Sequence, residues 1–216
     1  ISKNTQQDLI KFFNVDIKKT SVIHLGFSLT TKDVEQPKEL YRPYLLYVGS
    51  RNGYKNFTRL LEAYASPKIK NSYDLVIFGG GKLNKNEILA LENLKISKES
   101  IRHYDGNDSV LGGFYKNASL FVYPSLYEGF GLTPLEAMNY GCAVACSNTS
   151  SIPEVVGKAA VFFDPYSIHS IRNNISILEN TKLQSLIIEE GFKQIKKFSW
   201  ENCARQTYDV YKKVLR

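Results

Sequence analysis

The sequence lacks most of what specialised architectures are built from. Three cysteines in 216 residues cannot form a disulfide framework. Cys142, Cys146 and Cys203 also have no histidine companion at metal-ligand spacing. That usage points to a reducing compartment, the cytoplasm by default, and to no metal site. Seven prolines and 14 glycines are too few for collagen or a low-complexity chain. No apolar run approaches the roughly 20 residues of a membrane-spanning helix. Charge of one sign is not gathered anywhere: 28 Lys and Arg stand among 21 Asp and Glu, a net +7. Runs of roughly four to eight cations, which mark anionic lipid or nucleic acid, are missing. So are the interleaved stacking aromatics of single-strand binders. Nucleic acid is therefore not an expected partner. The opening stretch, Ile1 to Phe13, is polar and amphipathic with no apolar core or small-residue cleavage site, so it does not read as a signal peptide. Starting on Ile rather than Met, it reads as a start inside a longer gene.

What remains is ordinary globular composition, 43% apolar and 23% charged. Short apolar runs alternate with stretches of helical period. Strands are expected at Tyr44–Val48, Leu75–Phe78, Ile101–Tyr104, Leu120–Tyr123, Ala143–Cys146 and Ala160–Phe163. Helices are expected between them at Asn56–Ala65, Asn86–Leu94, Val110–Lys116, Pro134–Tyr140 and Pro153–Val156. Continuously apolar strands are buried on both faces, and regular β-then-α alternation implies right-handed crossovers. The fold class is therefore α/β: a doubly wound, parallel, six-stranded Rossmann-like sheet, followed by carboxyl-terminal helices at Ser167–Glu179, Lys182–Lys196 and Trp200–Leu215. Ser199 is the expected N-cap of the last of these, with Glu201 at its positive end. Ahead of the sheet the pattern gives a helix (Ser2–Phe13), a short strand (Ser21–Leu25) and a polar link through Thr30, Thr31, Lys32 and Asp33.

The densest chemical signal is Tyr123-Pro124-Ser125-Leu126-Tyr127-Glu128-Gly129-Phe130-Gly131-Leu132-Thr133-Pro134-Leu135-Glu136-Ala137-Met138. It leaves a strand, turns on Gly129 and Gly131, and opens a helix. In an open parallel sheet the ligand crevice lies at the carboxyl ends of the strands. Residues without Cβ let the backbone approach an anion there, and the next helix points its free N–H groups at it. A diphosphate fits that geometry; so does a tight turn with no ligand. Glu136 falls where Thr133-Pro134-Leu135-Glu136 matches a capping box, which would account for it without a ligand. Glu128 has no such local use and could accept hydrogen bonds from ligand hydroxyls. A second cluster, Gly49-Ser50-Arg51-Asn52-Gly53-Tyr54-Lys55, puts two cations after another strand, and each could equally be a solvated loop residue. A third, Gly79-Gly80-Gly81-Lys82, is too flexible to be specific.

These motifs together resemble the retaining glycosyltransferases of family 4, in the carboxyl-terminal, donor-binding half of their two-domain GT-B fold. The stretch Tyr123–Met138 looks like that family's Glu-x7-Glu signature, and Ser147–Val155 like the segment that follows it. Gly79–Gly81, Phe114–Ala118 and Phe198–Trp200 match further stations in order. The resemblance covers about Pro43 to Leu215. It implies a domain division of residues 1–30 as the tail of an amino-terminal acceptor domain and linker, 43–198 as the donor-binding domain, and 199–216 as a helix that packs back on the amino-terminal domain.

What the resemblance implies can be placed residue by residue. Glu128 would hold hydroxyls of the donor sugar. Main chain at Gly129, Phe130, Gly131, Leu132 and Thr133 would meet the sugar and diphosphate. Glu136 would bind the ribose. Arg51 and Lys55, with Gly49 beside them, would neutralise the departing diphosphate without a metal. The base would lie against Gly80, Gly81 and the loop through Gly106. One departure is that Ser50 separates Gly49 from Arg51, which makes Lys55 the safer assignment.

The implied activity is transfer of a hexose from a UDP- or GDP-linked sugar to a glycan or lipid-linked acceptor in polysaccharide or glycoconjugate synthesis. No further cofactor is implied. Location would be cytoplasmic, with peripheral association at the inner face of the membrane as an option for the whole protein. The acceptor would be held by the amino-terminal domain, so this polypeptide alone is expected to bind donor without transferring sugar. A nucleotide-sugar-binding module without turnover and a GT-B-fold epimerase are the competing readings. His24, His103 and His169 are not expected to be catalytic, since the sequence places no acidic partner beside them. The Asn-x-Ser/Thr triplets at Asn56 and Asn117 are chance sequons.

Overall fold

Strands with no polar alternation need cover on both sides, and the chain supplies it by crossing from one face of the sheet to the other. The computed structural model describes residues 1–28, 34–37 and 40–215. These residues form six parallel strands: β1 (Tyr44–Val48), β2 (Asp74–Phe78), β3 (Ile101–Tyr104), β4 (Leu120–Tyr123), β5 (Val144–Ser147) and β6 (Val161–Phe163). They lie in the order β3-β2-β1-β4-β5-β6. The register sets Leu45 beside both Leu75 and Leu120, and Cys146 beside Phe162.

Alternate residues of each strand point to opposite faces. Leu45, Tyr47, Leu75, Ile77, Leu120 and Val122 pack with Leu60, Leu61 and Tyr64 of α2 (Phe57–Tyr64), Leu91 of α4 (Lys85–Asn93) and Ile171 of α8 (Ile168–Ile175). Leu46, Val76, Phe78 and Phe121 face the other way, onto Phe114 of α5 (Asp108–Asn117), Leu135 of α6 (Leu132–Asn139) and Val155 of α7 (Ile152–Val156). Short α3 (Pro67–Lys70) and long α9 (Thr181–Ile195) complete the shell. Burial, only partly countered by a hydrogen bond to the Phe121 backbone, pushes the Cys142 thiol up to about 12, so it behaves as core rather than as a nucleophile.

Helix limits fall within two residues of expectation for most elements. The helix expected over Ser167–Glu179 divides into α8 and a 3-10 turn at Ser176–Glu179. Helix α10 (Trp200–Val214) is capped by Ser199, whose hydroxyl accepts from the Asn202 amide, as expected. It has no buried residue, and Trp200, Tyr208 and Tyr211 are exposed. At the other end of the chain α1 (Lys3–Phe13) forms with Ser2 as its cap. The strand expected at Ser21–Leu25 is not formed. A strand exists by its ladder, and this β-branched run has no neighbour in the sheet to pair with. The link expected through Thr30, Thr31, Lys32 and Asp33 lies outside the described residues.

Candidate active site

The strand order reverses between β1 and β4, which run side by side while their crossovers depart in opposite directions. A crevice opens at the carboxyl ends of strands at such a point. The turns that leave β1, β2, β3 and β4 therefore put Gly49, Gly80 and Gly81, Gly106, and Glu128 to Gly131 on one rim of the sheet.

Lys55 and Glu128 meet on this rim, Nζ to Oε1 at 2.7 Å, with side chains 17% and 14% exposed. Lys55 ends a 3-10 turn, Gly53–Lys55, and its ammonium also lies over the rings of Tyr54 and Tyr123. The next residue, Asn56, holds that turn in place: it is 5% exposed, has a φ of 57°, and its amide donates to the carbonyls of Pro124 and Pro165. Asparagine tolerates this backbone region because its short side chain bonds locally. The Leu126 amide completes the join by donating to the Tyr54 carbonyl at 2.7 Å.

Glu128 is gripped from behind by the loop after β5. Its amide donates to Ser150 Oγ at 2.9 Å, and Ser151 Oγ donates to the Glu128 and Phe130 carbonyls at 2.8 and 2.9 Å. Ser151 is fully buried. Burial first, and then the Glu128 charge, push the Tyr123 phenol far above its ordinary range, so it stays a neutral neighbour of the carboxylate. Ser150 and Ser151 fall in the Ser147–Val155 segment that carried the family resemblance, though no role was assigned to them there, and nothing in the sequence points to the part played by Asn56.

Arg51 is placed differently from Lys55. Its side chain is 4% exposed, and its guanidinium pairs with Glu87 of α4, Nε to Oε1 at 2.7 Å. It also donates to the carbonyls of Gly79 and Lys82 at 3.3 and 2.9 Å. Glu87 in turn completes a capping box with Asn84 at the start of α4. Arg51 therefore ties the glycine loop after β2 to its helix, and its fork is already occupied. A Cβ on Gly80 would come within 2.7 Å of the Gly49 carbonyl, and its φ is 74°, so only glycine lets the two rim loops touch.

Helix α6 starts two residues earlier than the capping-box reading requires. Its cap is Gly131, at φ 101°, with no side-chain hydrogen bond, and Thr133 lies inside the first turn. The expected capping box is therefore absent. Leu132 and Thr133 amides open the helix with no side-chain acceptor, and Phe130 turns its ring inward, 4% exposed. Glu136, released from capping, faces a small cavity of about 60 Å³ with Asp108, Leu111, Tyr115 and Tyr140. Tyr115 donates its hydroxyl to the carboxylate at 3.1 Å. Burial raises the Glu136 pKa, partly countered by that hydrogen bond.

The absence of acidic partners expected for the histidines is corrected for two of them. His24 has an acidic partner, Glu154 Oε1 at 2.7 Å, and packs between Phe130 and Phe198. His103 lies 3.6 Å from Asp105. Glu154 lies 130 residues from His24 along the chain, where no local pattern shows it, whereas Asp105 stands just two positions after His103 and is legible in the sequence. Among the described residues no three His, Cys, Asp or Glu side chains gather where they could hold a metal ion. Among the same residues no helix is long and apolar enough to cross a membrane.

With this geometry established, the family model described as glycosyl transferases group 1 matches residues 30–194. The chain belongs to that family. It is 37% identical over 177 residues to the O-antigen chain mannosyltransferase B of Escherichia coli, covering 80% of this chain and 46% of the relative. The serotype-specific mannosyltransferase WbdA of Escherichia coli is 28% identical over all of this chain, which spans 28% of it. The chain thus spans half or less of the length of these curated relatives. A crystal structure of a glycosyltransferase from Rickettsia africae shares the fold with a TM-score of 0.81 at 19% identity, covering 100% of this chain and 62% of that one. WaaG, a glycosyltransferase involved in lipopolysaccharide biosynthesis, does so at 0.79 and 19%, covering 97% of this chain and 61% of its own.

Proposed function

We propose that this member of the family is the donor-binding half of a retaining glycosyltransferase that takes a hexose from a UDP- or GDP-linked sugar. The printed names of its relatives favour a mannosyl group and a surface-polysaccharide acceptor, a glycan or its lipid-linked form. The observation that carries the reading is the Lys55–Glu128 pair on the rim at the switch point between β1 and β4. In this account Lys55 and the uncapped amides of Leu132 and Thr133 receive the diphosphate. Glu128 receives sugar hydroxyls, and Glu136 the ribose. Charge on the leaving diphosphate is then met by fixed donors rather than by a metal ion.

Calorimetric titration with UDP, GDP, UDP-glucose and GDP-mannose, in excess chelator, tests this. One nucleotide and its sugar should bind in chelator, and Glu128→Ala should lower the preference for the nucleotide sugar over the bare nucleotide about tenfold or more, as loss of a charged hydrogen bond requires. Loss of all binding in chelator refutes the metal-free account. Equal weakening of both ligands removes Glu128 from the sugar.

A further inference from the structure

The start of the chain ends on the same turn that holds Glu128. Ser2 caps α1 by accepting from the Thr5 amide, and its hydroxyl donates to the Gly129 carbonyl at 2.8 Å. The Thr5 hydroxyl reaches the same oxygen at 3.2 Å. One carbonyl thus has both lone pairs engaged by one helix. Asn4 donates to the Tyr127 hydroxyl at 3.0 Å, and that hydroxyl donates to Asp8. Residues 127 and 129, either side of Glu128, are therefore both held by α1.

A strut fixes α1 at this distance. Glu154 of α7 accepts the Lys3 amide on both carboxylate oxygens at 2.9 Å and His24 Nε2 at 2.7 Å. The same segment carries Ser150 and Ser151, which grip Glu128 from its other side. Apolar burial does not explain the docking of α1. It has no buried residue of its own, and Leu9, Phe12 and Phe13 are exposed. Its attachment is polar and concentrated on the turn.

We propose that Ser2 and Thr5 are positioning residues for the donor sugar, with Glu154 as the strut that aligns them. This rests on the reading of Glu128 as the sugar-holding carboxylate. Gly129 has no Cβ to restrict its peptide planes. Anchoring its carbonyl removes that freedom and holds the Glu128 carboxylate in one direction before ligand arrives, which is the usual gain from preorganisation.

The test is the double variant Ser2→Ala/Thr5→Val, followed by hydrogen exchange of the amides at 127–131 and by titration with UDP, GDP, UDP-glucose and GDP-mannose. Exchange at 127–131 should accelerate about tenfold with β4 and β5 unchanged. The preference for the nucleotide sugar over its bare nucleotide should fall about tenfold, on the order of one lost hydrogen bond. Ser2→Thr/Thr5→Ser, which keeps both hydroxyls, should restore the preference, an effect that a merely structural role would not produce. If the double variant does not fold, Glu154→Gln carries the same two readouts. An unchanged preference overturns the proposal when Glu128→Ala abolishes that preference in parallel. If Glu128→Ala leaves it unchanged, the sugar reading itself has failed, and the positioning role for the sugar falls with it.

Discussion

The Lys55–Glu128 pair permits a quantitative prediction. At 2.7 Å and an effective dielectric of about 20, the gross attraction is roughly 6 kcal/mol. Both side chains give up most of their hydration to make it, 17% and 14% exposed as they are. Removing one partner of such a pair costs roughly 3 to 5 kcal/mol when burial is complete, because the other charge is stranded. Burial here is incomplete, so about 3 kcal/mol is expected for Lys55→Met, which keeps the stem and deletes the charge. For a domain of this length that lowers Tm by roughly 6 to 12 °C. Glu128→Gln should cost less, about 1 to 2 kcal/mol, since the stranded ammonium keeps the Tyr54 and Tyr123 rings, 5.3 and 5.5 Å away. The double variant strands nothing and should return to within about 1 kcal/mol of the parent. Urea unfolding of the four proteins gives the cycle, with an expected coupling of about 3 to 5 kcal/mol, the sum of the two single losses less that of the double variant. Losses that simply add would refute the claim that each charge is held by the other.

Two further outcomes follow from the same rim. Arg51→Lys should lose about 3 kcal/mol or more by urea midpoint, because an ammonium cannot span Glu87 and the carbonyls of Gly79 and Lys82 together; parent stability in that variant would show that the fork is dispensable. Glu136→Gln should be more stable than the parent near pH 7, with the difference closing as pH falls toward about 4, the unfolded carboxyl value. The sign follows from the raised pKa: between the unfolded and folded values the native state binds the extra proton, so the parent loses stability as pH rises through that window, and the variant has no proton to lose. A difference constant from pH 4.5 to 8 would refute it.

The six strands and their parallel winding were legible because two-sided burial writes continuous apolar runs. Glu128, Lys55 and the glycine turns were legible because they sit where a strand ends. Two local rules misled. Thr133-Pro134-Leu135-Glu136 has the letters of a capping box, but Gly131 can adopt a φ that L side chains avoid, so the helix begins on it and Thr133 is drawn inside. Ser21–Leu25 has the letters of a strand, yet hydrogen-bonded pairing is supplied by neighbours and not by propensity. The partners of Arg51 and His24, namely Glu87 and Glu154, lie 36 and 130 residues away along the chain. No local pattern encodes such distances. They became visible only when the winding of the sheet brought the loops after β1 and β2 together, and set α7 against the chain's first helix.

Lys55 and Glu128 satisfy each other's charge, so on the proposed function donor binding is an exchange of partners. A diphosphate that takes Lys55 leaves Glu128 stranded in a partly buried position beside new negative charge, which offsets much of what the phosphate gains. A hydroxylated sugar attached to that diphosphate supplies donors to the same carboxylate and removes the penalty. On that reading the pair would penalise a bare nucleotide relative to its sugar conjugate, although Lys55 would attract both. The same reasoning explains why the turn needs anchoring on both flanks. A Glu128 free to swing away when Lys55 is taken would escape the penalty and lose the discrimination. Ser150 and Ser151 on one side, and Ser2 and Thr5 on the other, fix the backbone from which the carboxylate projects. Selectivity in this account comes from the cost of leaving a charge unpaired, and that cost exists only while the turn is held still.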